Sequence, residues 1–544
     1  MRPVARFLRP RLGVAVGLAL AAALGLGAPA ASAHAQLLST DPAAGSALAQ
    51  GPSRLVLRFS EAVEATFGSV RVYDAGGHRL ATGRATHPRG ARDAVAVTAP
   101  ALGTGGYVVT WRVISADSHP VHGAFTFRVG GRVADGAAAR AEAARLIAMH
   151  QGNAAAGWLL GMARFAAFAA LAVAVGGTAL VVATGWPGAR KLLWASLLGA
   201  GVALVAGLAV QGPYAGALPL VDALKPSVVG EVLHTRFGEV AVIMLGALVV
   251  GAVVLARIDR AGRWWRPTAL AAAAVLVIGP ALAGHASVGR LVPLALAFDV
   301  VHLGAAAVWI GGLAVLVSLL RGGLAERRKA VAVTFSSWAL PAAAAVVVSG
   351  LFATWRQVGT WAAVTATPYG RLLLAKTVAV AGLLGLAVIS RQALRRTQTS
   401  RLRTAVILEL GVVAVVFALT SALVNAVPAR AALARPYSVE VHAGPSVLVD
   451  VVVDPAKVGS LAVHLYTLGA DGAPLDVARA MATLSLPGRP VDPISAPLTK
   501  VGPGHFASYG VNVPISGRWS LAVALEPTPA TAVLADPIQV PIRG

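Results

Sequence analysis

Eight apolar stretches, each near 20 residues long, run through the middle of this 544-residue chain. They lie at about 155–184, 192–212, 237–256, 267–284, 292–320, 333–354, 372–390 and 404–427. At 1.5 Å per residue, ~20 helical residues cross a hydrocarbon core of ~30 Å. A chain with eight such stretches folds across a lipid bilayer, as an eight-helix transmembrane bundle. The composition agrees: 57% of residues are hydrophobic and 13% charged, with a mean hydropathy of +0.72. Gly and Ala recur in all eight, which lets membrane helices approach closely.

The net charge of +23 would suit nucleic acid if it formed one basic face. It does not; it is spread through short loops. Loops 185–191, 257–266, 321–332 and 391–403 hold 15 Lys and Arg, whereas 213–236, 285–291 and 355–371 hold 5. Basic loops stay in the cytoplasm, so the first helix starts outside and the last returns there. Both flanking regions are therefore expected to be extracytoplasmic, and nucleic acid is not an expected partner. Trp264 and Trp265, beside Arg263 and Arg266, read as interfacial anchors.

The N-terminus reads as a secretory signal over residues 1–33. Arg2, Arg6, Arg9 and Arg11 precede an apolar run from Leu12 to about Ala30, and Ala31-Ser32-Ala33 has the small residues of a cleavage site. Cleavage after Ala33 makes His34 the first mature residue, with an α-amine and an imidazole on one residue. The chain has no Cys and five Met, which excludes thiolate sites and disfavours a thioether-rich Cu(I) site. Any metal is expected on nitrogen and oxygen.

Residues 34–130 alternate with the period of half-buried strands: Leu55, Leu57 and Phe59; Tyr107, Val109, Trp111 and Val113; Phe125, Phe127 and Val129. With turns at "DAGGH" (74–78) and "LGTGG" (102–106), this predicts a compact β-sandwich or barrel. Residues 131–154 form a polar, Ala-rich linker to the membrane region, 155–430. Residues 431–544 alternate again, at Val439 and Val441, at Val447, Val449 and Val451, and at Val463 and Leu465. Turns are expected at "GADGAP" (469–474) and "ISGRW" (515–519), and a second small sandwich follows.

The stretch "WRVISADSHPVHGAFTFRV" (111–129) carries the chemistry. In extended backbone Asp117 and His119 point to the same side, and Pro120 disfavours helix at His119. Joined by the imidazole and amine of His34, they offer about three nitrogens and one oxygen. Such a set favours Cu(II), with zinc the chemical competitor. His122 is an extra imidazole nearby, a possible ligand or a bystander; His78 and His87 lie near turns. Together, "HAQLLSTDPAAGS", "LVLRFSEAV" and the 111–129 stretch resemble the periplasmic copper-binding family CopC over residues 34–130. The resemblance implies Cu(II) ligation by His34, Asp117 and His119. The Met-rich Cu(I) site of that family has no counterpart, since no Met lies between 34 and 130.

Ionisable residues within membrane spans mark function by default. Asp299 and His302 share a helix face, ~10 Å and ~15 Å inside by helical rise. His285 stands at the outer mouth, Lys376 towards the outer side and Glu409 towards the cytoplasm. These five form a descending series suited to passing an ion inward; alternatively, Lys376 pairs with Glu409 or Asp299 to hold helices together. Glu239 and Arg164 read as structural. "GHASVGRLVPLALAFDVVHLGAAAVWIGGL" (284–313), "PYGRLLLAKTVAVAGLLGLAVISRQALRR" (368–396) and "LELGVVAVVFALTSALVNAVPAR" (408–430) resemble the membrane family CopD, which implies copper uptake and resistance. In the tail, His442, His464 and His505 show no ligand spacing and read as surface or core residues.

The sequence thus predicts a multi-pass plasma-membrane protein with copper and the bilayer as partners. It captures Cu(II) outside and transfers copper across the membrane, without catalysis. No G-x-x-x-x-G-K-[ST] motif and no reductase motif is present. A b-type haem electron carrier with axial histidines and a copper sensor or store without transport are the alternatives.

Overall fold

A computed structural model describes residues 35–130 and 153–543, apart from 36, 43–45, 66–69, 117, 119, 261, 289–290, 321–325, 359–360, 430–431, 433–436, 445–446, 470–474, 503 and 529–530. The signal segment, the linker up to 152, and His34, Asp117 and His119 lie outside the described residues.

The N-terminal region is a two-sheet β-sandwich. One sheet has the order β1 (Leu37–Asp41), β3 (Arg54–Phe59), β7 (Ala94–Thr98). The other runs β2 (Ala47–Leu48), β9 (Pro120–Val129), β8 (Gly105–Ser115), β5 (Val70–Asp74), β6 (Arg79–Leu80), with β4 (Val63–Glu64) also on β8. Short β2 runs parallel to β9; the other pairs are antiparallel. The alternation read from the sequence faces inward as expected. Leu55, Leu57, Phe59, Val109, Val113 and Phe127 are buried in one core. Trp111 meets Phe59 edge-on at 5.3 Å. A Cβ on Gly123 would stand 2.6 Å from the Trp111 ring, so the cross-strand indole needs glycine there.

Eight helices are long and apolar enough to cross a membrane. We number them α1 (Ala154–Thr184), α2 (Arg190–Gly216), α3 (Arg236–Ala256), α4 (Trp265–Ala283), α5 (Val292–Leu320), α6 (Glu326–Val358), α7 (Pro368–Arg395) and α8 (Thr399–Asn425). Short helices at Pro226–Leu233 and Trp361–Ala366 sit in the connections. Prolines 213, 280 and 341 fall inside α2, α4 and α6, which membrane bundles tolerate when neighbours re-satisfy the freed carbonyls.

Helix α5 is the central one. Of its apolar window 56% is covered by protein, against 6% for α7. Its closest approach is to α1. A Cβ on Gly311 would stand 2.5 Å from the Ala172 carbonyl oxygen, and one on Gly176 would collide with the Ala307 carbonyl. The two backbones touch through glycine on both sides, the close contact that small residues permit in membranes. Helix α8 ties to α1 by Ser421 Oγ donating to the Gly161 carbonyl at 2.6 Å, and by Arg164 donating to Asn425.

The C-terminal region is a second sandwich. One sheet has the order β10 (Tyr437–Ala443), β11 (Val447–Asp454), β12 (Gly459–Gly469), β16 (His505–Val513), β15 (Thr499–Gly502). The other runs β14 (Ile494–Ala496), β13 (Arg479–Ser485), β17 (Gly517–Thr528), β18 (Thr531–Leu534), with β19 (Ile538–Ile542) also on β17. Val447, Val449, Val451, Val463 and Leu465 face the core around fully buried Trp519. The turn expected over 515–519 is shorter than the sequence suggested. Strand β17 starts at Gly517, because the core claims Trp519, whose indole N–H donates to the Ile515 carbonyl at 3.1 Å.

Candidate metal centre

The hairpin β8–β9 builds the first site. Its register places Ile114 opposite Pro120, Val113 opposite Val121 and Arg112 opposite His122. Asp117 and His119 fall in the connection between the two strands. Ser118, between them, is buried, takes φ +68°, and donates its N–H to the Ser115 carbonyl at 2.8 Å. A non-glycine residue at positive φ belongs to a tight turn. The cost of a left-handed serine, on the order of 1 kcal/mol, is borne where surrounding contacts fix the turn. Ala35, which follows His34, is 5% exposed and belongs to the sandwich core, so the chain is anchored one residue after His34.

His122 keeps an exposed edge, yet partial burial and the Arg112 guanidinium opposite both push its imidazole below the ordinary histidine range. His78 pairs with Asp74 at 3.2 Å in an exposed turn, and His87 Nδ1 contacts the Ala94 carbonyl at 2.8 Å. Among the described residues no three His, Asp or Glu side chains gather around one point.

In the membrane region, three helices bring a polar cluster together. Asp299 and His302 lie one turn apart on α5. Lys376 of α7 and Arg356 of α6 are within electrostatic reach of the Asp299 carboxylate, and Lys376 also acts on His302. His302 Nδ1 meets Ser349 Oγ of α6 at 2.9 Å. Ser349 Oγ also sits 2.5 Å from the Ala345 carbonyl, which takes its only proton. With that proton placed on the Ala345 carbonyl, Ser349 accepts from His302, so the imidazole carries its proton on Nδ1 and leaves Nε2 unprotonated. This tautomer is inferred from the hydrogen bonds. An aromatic group adjoins the cluster: Phe298 stacks on Phe352 at 4.3 Å, and Phe352 meets Trp355 at 5.8 Å.

His285 opens a 3-10 turn before α5, and its carbonyl accepts from Arg356 at 2.9 Å; Arg356 also donates to the Val288 carbonyl. Glu409 stands apart. It is 1% exposed and accepts from Ser390 of α7. Ser390 lies fourteen residues beyond Lys376, or ~21 Å along the helix. The alternative pairing of Lys376 with Glu409 is thus ruled out by distance, and Asp299 is the carboxylate that Lys376 serves. Ser349, Arg356 and Ser390 were not singled out from the sequence. A hydroxyl inside an apolar run was the available signal for the serines. Arg356 lay just past the expected end of its span, at 354, but α6 continues to Val358.

Comparison with known proteins bears on both regions. Residues 37–130 match the CopC domain, residues 153–292 the copper resistance protein D-like N-terminal domain, and residues 329–423 copper resistance protein D. Copper resistance protein C of Pseudomonas syringae pv. tomato is 34% identical over 105 residues, covering 18% of this chain and 82% of that protein. Through its N-terminal domain, this chain belongs to the CopC family. The copper transport protein CutJ of Bacillus subtilis (strain 168) is 28% identical over 365 residues, 63% of this chain. The match spans 65% of CutJ's own length. The crystal structure of CopC from Methylosinus trichosporium OB3b shares 32% identity, covering 18% of this chain and 93% of that one, with a TM-score of 0.17. The CopC match takes in the β8–β9 hairpin, and the CopD matches take in Glu409, Lys376 and Ser349.

Proposed function

We propose that this protein captures Cu(II) outside the cell through its N-terminal sandwich and moves copper inward through the eight-helix region, without chemically transforming a substrate. One observation carries the reading: a CopC domain and CopD domains occur in one chain, and its helices gather Asp299, His302, Arg356 and Lys376 inside the bundle. The resemblance to CutJ, named a copper transport protein, supports the direction of the proposal.

In this reading His34, Asp117 and His119 hold Cu(II) through the α-amine, two imidazoles and a carboxylate. A divalent metal displaces the proton of an amine whose unperturbed pKa is ~7.7–8. His122 stays outside the set, because the Arg112 charge opposite repels a cation. Copper then meets His285 at the mouth and the lone pair of His302 Nε2. Asp299 offsets the ion's charge, and Lys376 takes over Asp299 when the site is empty. Glu409 serves the cytoplasmic half. Both sandwiches face the extracytoplasmic side.

The deciding experiment is copper flux into vesicles holding the full-length protein, with and without a reductant. Flux above that of protein-free vesicles, lost in His302→Ala, is expected. Flux equal to the control under both conditions would overturn transport and leave binding alone.

A further inference from the structure

The first sheet of the C-terminal sandwich brings together two histidines that sequence spacing leaves unrelated. His464 lies on β12 and His505 on β16, 41 residues apart. Core-facing Val463 and Leu465 flank His464, so strand alternation puts His464 and Tyr466 on the opposite, outer face. Tyr466 stands directly opposite His505 in the ladder. The His464 and His505 rings meet diagonally, with Nδ1 of one 3.3 Å from Nε2 of the other. Tyr466 stacks on His505 at 4.3 Å and 17°, and Tyr509 meets His464 edge-on at 5.5 Å. Asp450 on β11 is the cross-strand neighbour of Tyr466.

Three features suit this pair to a metal ion. Two imidazole nitrogens in adjacent positions of a tetragonal Cu(II) site, each ~2.0 Å from the ion, stand about 2.8 Å apart, and these two, at 3.3 Å, have only about 0.5 Å to close. Both rings are held neutral: burial pushes His464 down, and burial with the adjacent His464 pushes His505 to about 4. A neutral ring offers a lone pair, and the ring that donates in the pair frees its facing nitrogen by carrying its proton on the other nitrogen instead. The stacked tyrosine fixes the His505 ring in place, which lowers the cost of ordering it.

We propose that His464 and His505 form a second copper site, separate from the one at the N-terminus, binding Cu(II) through two imidazole nitrogens. Imidazole donors suit Cu(II), which tops the Irving–Williams order. Two protein donors leave the remaining positions to water or an incoming ligand, so this is an open site that takes up and releases its ion. The proposal does not depend on transport.

The test uses the full-length protein in detergent. Asp117→Ala with His119→Ala removes two of the three N-terminal ligand residues and leaves His34 the same in both proteins, and His464→Phe with His505→Phe is then added, which keeps an aromatic ring against Tyr466. The two-substitution protein is expected to retain about one Cu(II) per chain, with nitrogen hyperfine splitting in its EPR spectrum, and the four-substitution protein to lose it. Equal copper content in the two would overturn the proposal. A second measurement needs no substitution: diethyl pyrocarbonate modification of each histidine, mapped by mass spectrometry. Cu(II) is expected to protect His464 and His505 in the unmodified chain; identical modification with and without copper would overturn the site even if a variant failed to fold.

Discussion

Ser349 on α6 accepts a hydrogen bond from His302 on α5, with Nδ1 and Oγ 2.9 Å apart. A serine that spends its own proton on the Ala345 carbonyl can only accept, and so it fixes which imidazole nitrogen is left for an ion. Partners that fix a ligand's tautomer are typically worth about 10–100-fold in affinity or activity. Ser349→Ala is therefore expected to slow copper uptake by about tenfold, and His302→Ala to abolish it, with both proteins at normal abundance. Uptake measured as cell-associated copper checks this. A wild-type rate in Ser349→Ala would show that the tautomer is immaterial.

The N-terminal site offers a sharper test. If His34 ligates through its α-amine as proposed, one extra residue ahead of it in the processed chain takes that amine out of the ligand set. Cu(II) affinity is expected to fall by about tenfold or more, with one fewer nitrogen in the EPR spectrum. Competition with a chelator of known affinity reads the change. Equal affinity with and without the extension would take the amine out of the ligand set.

The contact between α1 and α5 predicts a stability effect far from any ligand. Gly311→Leu forces a side chain against the Ala172 carbonyl, and that backbone cannot swing aside. Overpacking costs about 1–3 kcal/mol where side chains can yield, and more is expected against backbone. Thermal unfolding in detergent should drop by several degrees. Gly385→Leu on α7, where an added Cβ meets nothing, should change it little.

The copper-free C-terminal sandwich is expected to weaken in acid. His505 titrates at about 4 when folded and His464 is also depressed, against ~6.5 unfolded. Between those values the unfolded chain binds more protons, so stability is full above ~6.5 and declines as pH falls towards about 4. Hydrogen exchange of β12 and β16 peptides, corrected for intrinsic rates, should show protection falling across that window. His505→Phe should flatten the decline. Constant protection from pH 6.5 to 4.5 would contradict the cause assigned to these shifts.

The eight helices were legible because hydrocarbon thickness writes itself into the chain as runs of about 20 apolar residues. Their ends were less so. Helix α6 runs from Glu326 to Val358, whereas its apolar signal stops at 333 and 354; beyond those points the helix continues among polar residues. In both sandwiches, inward positions such as Leu57, Phe127 and Val451 followed from alternation alone. What alternation does not carry is which strands become neighbours. Thus the pairing of β12 with β16, which joins His464 to His505, and the parallel placement of β2 on β9 appeared only in the fold. The Asp299 and His302 pair was visible as one helix turn. Of its partners on other helices, Lys376 was one of two pairings left open by the sequence, and Ser349 and Arg356 are assigned only by packing. Between the β8 and β9 strand patterns Ser118 takes a turn conformation at positive φ, which alternation does not anticipate.

The glycine contact between α1 and α5 also has a mechanical meaning. Backbones in direct touch cannot slide past one another without lifting apart, so α5, with Asp299 and His302, is bolted to α1 like a stator. Helix α7 is the least covered of the eight, and it carries Lys376. Any displacement within this cluster is therefore expected to fall on the ammonium rather than on the carboxylate and imidazole.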